Sequence, residues 1–426
     1  MLEVLDLYSK YLSLLLNASW IWSPVCLCVI FFESWMYYIQ RVWWGKLDWV
    51  ILEIKPPRDI ESTPKAMEQI FAGLWGAFGT VSTKYQKYFL GMKQDYFSCE
   101  IVGINGEIHF YIRGLRKYRD MVEAQVYSQY SHAEIREVPD YVFNVPLNLP
   151  NKNWDMWGCK LELDREDYYP LRTYPLLIDL TKTDQPFLDP LAGLMEVMSK
   201  LRQGEQIWIQ ILLRPIEDKW REKARALADK LFGRQPKPKA EGLIKFDIRT
   251  WFESISNVLH EIFTNQPGPY AGVAEEEKKD RALLMMLSPA ERDIVAGIEE
   301  KAGKKGFGCK VQWGYLFKKE MMSMGNVAAV MGIINQFAHL NMNSLKPVRK
   351  TITARAYYLF TEQRKFYKKR VLMRWMRSRS LWEDGYILNI EELASLYHFP
   401  TIGVKAPATP YIDVKKGGPP VDLPML

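Results

Sequence analysis

The sequence has few cysteines and few histidines for a chain of 426 residues, five of each. No two cysteines have the spacing of a zinc pair or of a CxxC redox motif, and no two histidines stand four residues apart. These absences argue against a disulfide-rich scaffold and give a metal site no support from spacing. The scattered cysteines instead predict reduced, structural thiols. They are Cys26, Cys28, Cys99, Cys159 and Cys309.

The sequence also lacks the common catalytic motifs GxSxG, HExxH and DxDxDG. The nearest candidate for a phosphate loop is Gly303–Lys310, but Cys309 stands where the phosphate-binding lysine must be. This segment therefore predicts a basic turn. We expect no catalytic residue, no cofactor and no metal, and we predict that the protein is not an enzyme. An enzyme with an unrecognised site is the remaining alternative.

What the sequence does contain is one long apolar run near its amino end. Tyr11–Phe32 holds twenty-two residues without a charged side chain, and Glu33 closes it. A helix of that length is roughly 33 Å long, close to the thickness of a bilayer's hydrocarbon core, so the run predicts a transmembrane helix. A buried core helix and a signal peptide are the alternatives. An aromatic collar typical of a membrane interface follows, made of Trp35, Tyr37, Tyr38, Trp43 and Trp44.

The charges around this run predict its orientation. Four cations follow it, Arg41, Lys46, Lys55 and Arg58, whereas Lys10 is the only one before it. Because cations are retained on the cytoplasmic side, we expect the bulk of the chain in the cytoplasm and the anchor in the plasma membrane.

The rest of the sequence predicts an α+β fold with two ferredoxin-like split βαβ modules and a helical, basic carboxyl region. In the first module, Asn105-Gly106 between two β-prone runs is a strong hairpin signal. The elements predicted there are a strand at Trp49–Ile54, a helix after Pro64, strands at Tyr96–Val102 and Glu107–Ile112, a helix at Leu115–Tyr130 and a strand at Ala133–Val138.

The second module has a related order of elements but no convincing repeat of sequence. Its predicted strands are Trp157–Leu163, Gln206–Pro215 and Lys310–Lys318, and its predicted helices are Pro190–Arg202, Lys219–Phe232, Pro289–Ala302 and Asn326–Leu340. We therefore expect four parts: the anchor and collar at 1–45, the first module at 46–143, the second at 144–348 with an insertion around 235–287, and a basic helix and tail at 349–426.

Positive charge is concentrated in the last of these parts. Arg349–Arg379 holds eleven cations and one acid, a formal charge of +10, whereas the whole chain carries +7. Aromatic residues are interleaved with the cations, so the segment could bind nucleic acid, anionic lipid or an acidic protein partner. The candidate binding residues are Arg349, Lys350, Arg364, Lys365, Lys368, Lys369, Arg370, Arg374, Arg377 and Arg379.

The carboxyl end carries the most specific pattern. Residues 386–400, YILNIEELASLYHFP, are followed by Gly417-Gly418-Pro419-Pro420 and by Leu423-Pro424. This pattern resembles the junction that precedes the ATPase core in type IV secretion and conjugation motor proteins. The matching junction residues are Glu391, Glu392, His398, Phe399 and Pro400.

The resemblance extends over about residues 45–424, to the membrane-linked amino-terminal domain of such proteins in candidate-phyla bacteria. It implies a membrane-anchored docking or scaffold component of a translocation machine that engages a motor ATPase. The sequence stops where that ATPase would begin, and it lacks a Walker A motif. We therefore expect the ATPase to act in trans or to belong to a missing carboxyl part. Membrane lipid, DNA and further copies of the chain are the other candidate partners, and a membrane-tethered nucleic-acid-binding protein is the alternative function.

Overall fold

A computed structural model describes residues 19–57, 63–79, 81, 83–177, 189–231, 288–357, 359–381 and 385–400. The described part has the predicted mixture of helices and antiparallel sheet, so the α+β class is confirmed. Its strands form one sheet in the order β4-β1-β3-β2-β6-β7-β5-β8, and β9 pairs with β7. The insertion expected around 235–287 lies outside the described residues.

The strands are β1 Trp49–Lys55, β2 Phe97–Ile104, β3 Glu107–Leu115, β4 Glu134–Glu137, β5 Trp154–Leu163, β6 Glu205–Pro215, β7 Gly306–Lys318, β8 Leu345–Pro347 and β9 Tyr386–Asn389. The helices are α1 Ser19–Gly45, α2 Pro64–Leu74, α3 Lys84–Tyr88, α4 Arg119–Gln129, α5 Tyr174–Leu177, α6 Ala192–Ser199, α7 Lys219–Leu231, α8 Pro289–Gly303, α9 Met324–Ile334, α10 Thr361–Ser378 and α11 Ile390–Leu396.

The first half of the sheet is built around the predicted hairpin. Asn105 and Gly106 both adopt positive φ, 54° and 98°, as a two-residue turn between twisted strands requires. The hairpin strands β2 and β3 pair from Ser98 with Arg113 to Ile104 with Glu107. Strand β1 then lies between β3 and β4, and helices α2 and α4 pack against each other.

The second half has the same relative order, with β5 lying between β7 and β8. Helices α6 and α9 pack against each other there, as α2 and α4 do in the first half. The two halves meet where β2 pairs with β6, from Phe97 opposite Leu213 to Ile104 opposite Gln206. Hydrogen bonding therefore continues through the sheet from one half to the other.

Side chains alternate across the sheet and give it two different faces. On one face, apolar residues of β2, β6 and β7 pack under the helices; examples are Ile101, Ile211 and Trp313. On the other face, apolar residues are mixed with buried polar ones, and α10 together with residues 141–149 covers them. The basic helix is therefore part of the fold, because Leu372, Met373 and Met376 pack onto this second face.

Residues 385–400 pack into the hydrophobic core of the fold. Strand β9 pairs with β7 between Gly306–Asn389 and Cys309–Tyr386, and α11 packs against α2. Every residue of α11 is buried. The carboxyl region from Arg349 onward thus contributes a covering helix, an edge strand and a core helix.

The amino-terminal region differs from the prediction. Residues 11–18 of the apolar run lie outside the described residues, and α1 continues past Glu33 through the aromatic collar to Gly45. In the part of the chain that the structure describes, no helix combines the length and apolarity needed to cross a bilayer. The collar is also divided, since Trp44 stacks on Tyr96 at 5.3 Å and belongs to the folded unit.

Candidate functional site

The basic segment is organised by α10, which has one side on the sheet and one side in solvent. The helix begins after Phe360 and ends before Arg379, and both flanking residues have left-handed backbone, with φ of 59° and 46°. The cationic side chains of α10 therefore fall into two groups, those that contact the rest of the fold and those that face solvent.

Three cations of α10 are used within the fold. The Lys369 ammonium donates to both carboxylate oxygens of Asp155, at 2.6 and 2.9 Å. Lys368 donates to the carbonyl oxygens of Ile352 and Arg355, at 3.3 and 2.6 Å, and burial lowers its pKa. Arg377 donates to the carbonyl oxygen of Val145. These residues attach the helix to its neighbours and are poor candidates for contacts with a partner.

The remaining cations of the segment lie at the outer surface. Arg349, Lys350, Arg364 and Arg374 are exposed. Lys365 is half-buried and pairs with Glu362 at 2.8 Å, whereas the Arg370 guanidinium lies 4.5 Å from the centre of the Phe366 ring. Exposed apolar side chains lie among these cations: Tyr357, Leu359, Phe360, Phe366 and Tyr367. This surface, which we call the basic-aromatic surface, can attract an anionic polymer or surface and also offer stacking contacts.

Arg379 does not belong to the basic-aromatic surface, because its side chain is completely buried. Its guanidinium donates to Glu100 at 2.6 and 3.0 Å and to Asp140 at 2.7 and 2.9 Å. The carboxylate of Glu100 raises the pKa of Arg379 in spite of the opposing effect of burial. The prediction that this arginine contacts an external partner is therefore corrected: it fastens the end of α10 to the sheet.

A row of buried polar side chains continues from this ion pair across the sheet. Tyr141 donates its hydroxyl hydrogen to Glu100 at 2.6 Å and accepts a hydrogen bond from Gln210 at 2.8 Å. Gln312 in turn donates to Gln210 at 2.8 Å. Sequence reasoning missed this network. Its signal was a polar residue near the middle of each of three largely apolar strands, namely Glu100, Gln210 and Gln312.

The acids of the junction motif face inward. Glu392 forms a fully buried ion pair with Lys301 at 3.0 Å and also accepts a hydrogen bond from the backbone of Leu171 at 2.8 Å. Its other carboxylate oxygen accepts from the backbone of Asn389, whose side chain accepts from Glu392 in return. This reciprocal capping box starts α11. Glu391 pairs with Lys304.

The end of the junction motif is buried as well. His398 lies 3.0 Å from Asp189 through Nε2, and its Nδ1 lies 2.8 Å from the carbonyl oxygen of Ala394. Phe399 packs edge-on against Phe110 and Tyr130, and Pro400 is also buried. The five junction residues therefore stabilise the fold, and their side chains present no docking surface.

A pocket of about 390 Å³ lies beside this motif, between α8 and α11. Glu391, Glu300 and Lys301 line it, but Lys304 pairs with the two glutamates and Lys301 pairs with Glu392. The lysine that lines the pocket, Lys301, is thus already neutralised. Across the described ranges, no group of histidine, cysteine and acidic side chains could hold a metal ion.

Only part of the predicted basic turn lies between helix α8 and strand β7, namely Lys304 and Lys305, because residues 306–310 form the start of β7. Lys305 pairs with Asp218 at 3.2 Å and lies 3.8 Å from the centre of the Trp75 ring. Burial raises the pKa of Cys309, so its thiol is kept protonated.

His109 lies 2.6 Å from Glu53, as a hydrogen-bonded histidine within a sheet, and His260 lies outside the described residues.

The outer part of α1 presents a run of exposed apolar side chains. Val29, Ile30, Phe31 and Phe32 are consecutive and all exposed, by 57%, 61%, 70% and 47%. Trp35, Tyr37 and Tyr38 of the predicted collar are exposed too. Toward its carboxyl end the helix joins the folded unit, where Ile39 is buried and Trp44 stacks on Tyr96.

Comparison with family models places the chain in a family of unknown function. A family model described as "Domain of unknown function (DUF8128)" matches residues 45–409. No curated protein matches the sequence.

Proposed function

Since the chain belongs to the DUF8128 family, whose function is unknown, we propose that it is a membrane-associated, non-enzymatic docking protein. In this proposal α1 holds the protein at the plasma membrane, and the basic-aromatic surface engages a partner in the cytoplasm. The resemblance of residues 386–400 to a motor junction adds that this partner is the ATPase of a type IV secretion or conjugation-like translocation machine.

The exposed side chains at Val29–Phe32 carry the membrane part of the proposal. Successive helical residues point about 100° apart, so four consecutive apolar residues surround the helix. A folded protein partner would cover one side of such a helix, whereas lipid can surround it. Apolar surface of this extent marks an interaction site in a soluble or membrane-associated protein.

Vesicle flotation tests this association. We expect the full chain to float with phospholipid vesicles, and Ile30→Asp/Phe31→Asp to reduce flotation at least tenfold, because two buried apolar side chains contribute about 1.5–3 kcal/mol each. The matched control is Leu176→Asp/Leu340→Asp, which changes two apolar residues exposed elsewhere. Absence of flotation, or an equal loss in both variants, would contradict the proposal.

We propose in addition that each half of the fold is a ferredoxin-like split βαβ module. The support is the shared strand order, with the first strand of each half lying between the third and the fourth. Two helices packed against each other accompany each set of strands. In this interpretation the modules form a rigid platform between α1 and the basic-aromatic surface.

The test of docking is co-purification with a candidate motor ATPase. We expect Arg349→Gln/Lys350→Gln/Arg374→Gln to weaken recovery of the ATPase, because these cations are exposed and the change leaves the apolar contacts of α10 intact. Lys223→Gln/Lys230→Gln on α7 is the control for loss of exposed charge. Equal recovery with all three proteins would count against docking through this surface.

Single-stranded nucleic acid is the second candidate partner. The observation that favours it is the placement of exposed rings among exposed cations, with Tyr367 exposed by 64%. Aromatic stacking and phosphate neutralisation together are the usual means of binding single strands.

Salt dependence of binding separates the two candidates. If each of the three cations contacts a phosphate, the variant should flatten the slope of log affinity against log salt by about 0.7 for each, or roughly two in all. If the surface docks a protein, wild type and variant should both bind single-stranded DNA weakly, and the loss should appear in co-purification.

A further inference from the structure

The segment Thr83–Lys93 packs beside α1 and presents an exposed cluster of rings and lysines. Tyr85 and Phe89 are exposed by 61% and 64%, and their rings stack at 5.4 Å. Leu90 is exposed as well. Nothing in the prediction from sequence assigned a role to this segment, which contains helix α3.

This segment is attached firmly to α1 in spite of its exposed side chains. Trp35 donates its indole hydrogen to the carbonyl oxygen of Tyr88 at 3.1 Å, and the rings of Phe32 and Tyr88 are 6.0 Å apart. Gly91 adopts φ of +66° and lies so close to Ile39 that a Cβ would be 2.5 Å from its carbonyl carbon. The exposed rings therefore hold a fixed position beside the apolar part of α1.

The local structure of the segment also holds its lysines outward. Thr83 and Gln86 form a reciprocal capping box at the start of α3. Lys84 and Lys87 of this short helix are exposed, and the Lys87 ammonium lies 5.3 Å from the centre of the Tyr88 ring. No acidic residue occurs between Thr83 and Lys93.

The neighbouring part of α1 has the same character. A groove of about 260 Å³ runs between α1 and residues 89–92, with an apolar lining that includes Tyr38, Val42 and Phe89. Lys46 also lines this groove, and Arg41 is exposed nearby on the helix. Glu33 is the only acidic residue of α1. A surface that combines aromatic rings with lysines suits the interface of a bilayer that contains anionic lipid. The rings can insert between hydrocarbon and headgroups, and the lysine ammonium groups can reach the lipid phosphates.

We propose that Thr83–Lys93 is a second membrane-contacting element, which inserts Tyr85 and Phe89 at the interface of a bilayer that contains anionic phospholipid. This inference rests on the proposed membrane association of α1. It adds that the folded unit lies against the bilayer at this element, with Lys84 and Lys87 at the headgroups.

Hydrogen exchange on vesicles tests the contact directly. With the full chain bound to vesicles of phosphatidylcholine and phosphatidylserine, we expect amides of residues 84–90 to exchange more slowly than in the free protein. Amides of α7 serve as the internal control and should be unchanged. If the protein floats but residues 84–90 exchange at the same rate with and without vesicles, this inference is wrong while the association through α1 stands.

The contribution of the lysines is tested by lipid composition. Lys84→Gln/Lys87→Gln should lower partitioning onto vesicles that contain phosphatidylserine by about 25-fold and leave partitioning onto pure phosphatidylcholine unchanged. The control Lys223→Gln/Lys230→Gln should change neither. Equal partitioning of the wild type and the first variant onto the anionic vesicles would overturn the headgroup contact. Failure of the wild type to bind any vesicle would overturn both this inference and the proposed membrane association.

Discussion

At the scale of single residues, Glu392 joins three parts of the chain. Its carboxylate pairs with Lys301 of α8, accepts a hydrogen bond from Leu171 and caps α11 through Asn389. Glu392→Gln would leave the Lys301 ammonium buried without an opposite charge. We expect it to lower the free energy of unfolding by about 3–5 kcal/mol, as measured by urea denaturation.

The neighbouring acid provides the matched control. Glu391 pairs with Lys304, which is partly exposed and also pairs with Glu300. Glu391→Gln should therefore cost less than Glu392→Gln, because Lys304 keeps Glu300 as a partner and keeps contact with water. If both variants kept wild-type stability but no longer bound a partner protein, the two glutamates would be docking residues. That result would contradict their placement in the core.

The pair formed by Glu53 and His109 makes stability depend on pH. The hydrogen bond with His109 lowers the pKa of Glu53 below its ordinary value of 4.5. Because the folded pKa lies below the unfolded one, the pair contributes stability above pH 4.5 that is lost as the pH falls through the folded pKa. Glu53→Gln should thus lower stability at pH 7 but weaken its fall between pH 5 and pH 3, measured as urea midpoints. Parallel pH profiles for the two proteins would contradict this.

The residue scale also shows why some site residues escaped prediction. Arg379 counts as one more cation in a basic run, and nothing local distinguishes it. Its partners Glu100 and Asp140 are 279 and 239 residues away in the chain. The sequence of a segment predicts its charge. Whether each side chain points into the fold or into solvent depends on contacts with residues far away in the chain.

At the scale of elements, α10 depends on a narrow apolar contact. Leu372 is completely buried against the sheet, whereas Tyr367 is exposed. Leu372→Ala should lower the free energy of unfolding by about 2–5 kcal/mol, because it leaves a cavity. Tyr367→Ala should leave stability within about 0.5 kcal/mol of wild type. Similar urea midpoints for the two variants would mean that α10 is not held on the sheet.

Elements specified by nearby residues were predicted well, and those specified by distant pairing were not. The β2–β3 hairpin follows from Asn105-Gly106, and the strand at Trp49 follows from its own β-branched run. Strands β8 and β9 have three and four residues and form by pairing with β5 and β7. The capping box at Asn389 and Glu392 was a visible helix signal, but the segment was interpreted as a junction.

At the scale of the whole molecule, the continuous sheet argues against independent halves. Strand β2 pairs along its length with β6, and Ile101 and Ile211 belong to one core cluster that includes residues of both halves. A fragment limited to residues 46–143 would expose the edge of β2 and the apolar side chains that β6 and its helices cover. We expect such a fragment to show no cooperative unfolding transition.

Coupling between the halves can be measured in the full chain by native-state hydrogen exchange. Ile211→Ala removes buried side-chain atoms from the second half and should cost about 2–5 kcal/mol. If the sheet unfolds as one unit, amides of β3 in the first half should lose the same protection free energy as amides of β7 in the second. If only β7 loses protection, the halves unfold separately. Leu340→Asp, at a residue exposed by 95%, is the control and should change neither set.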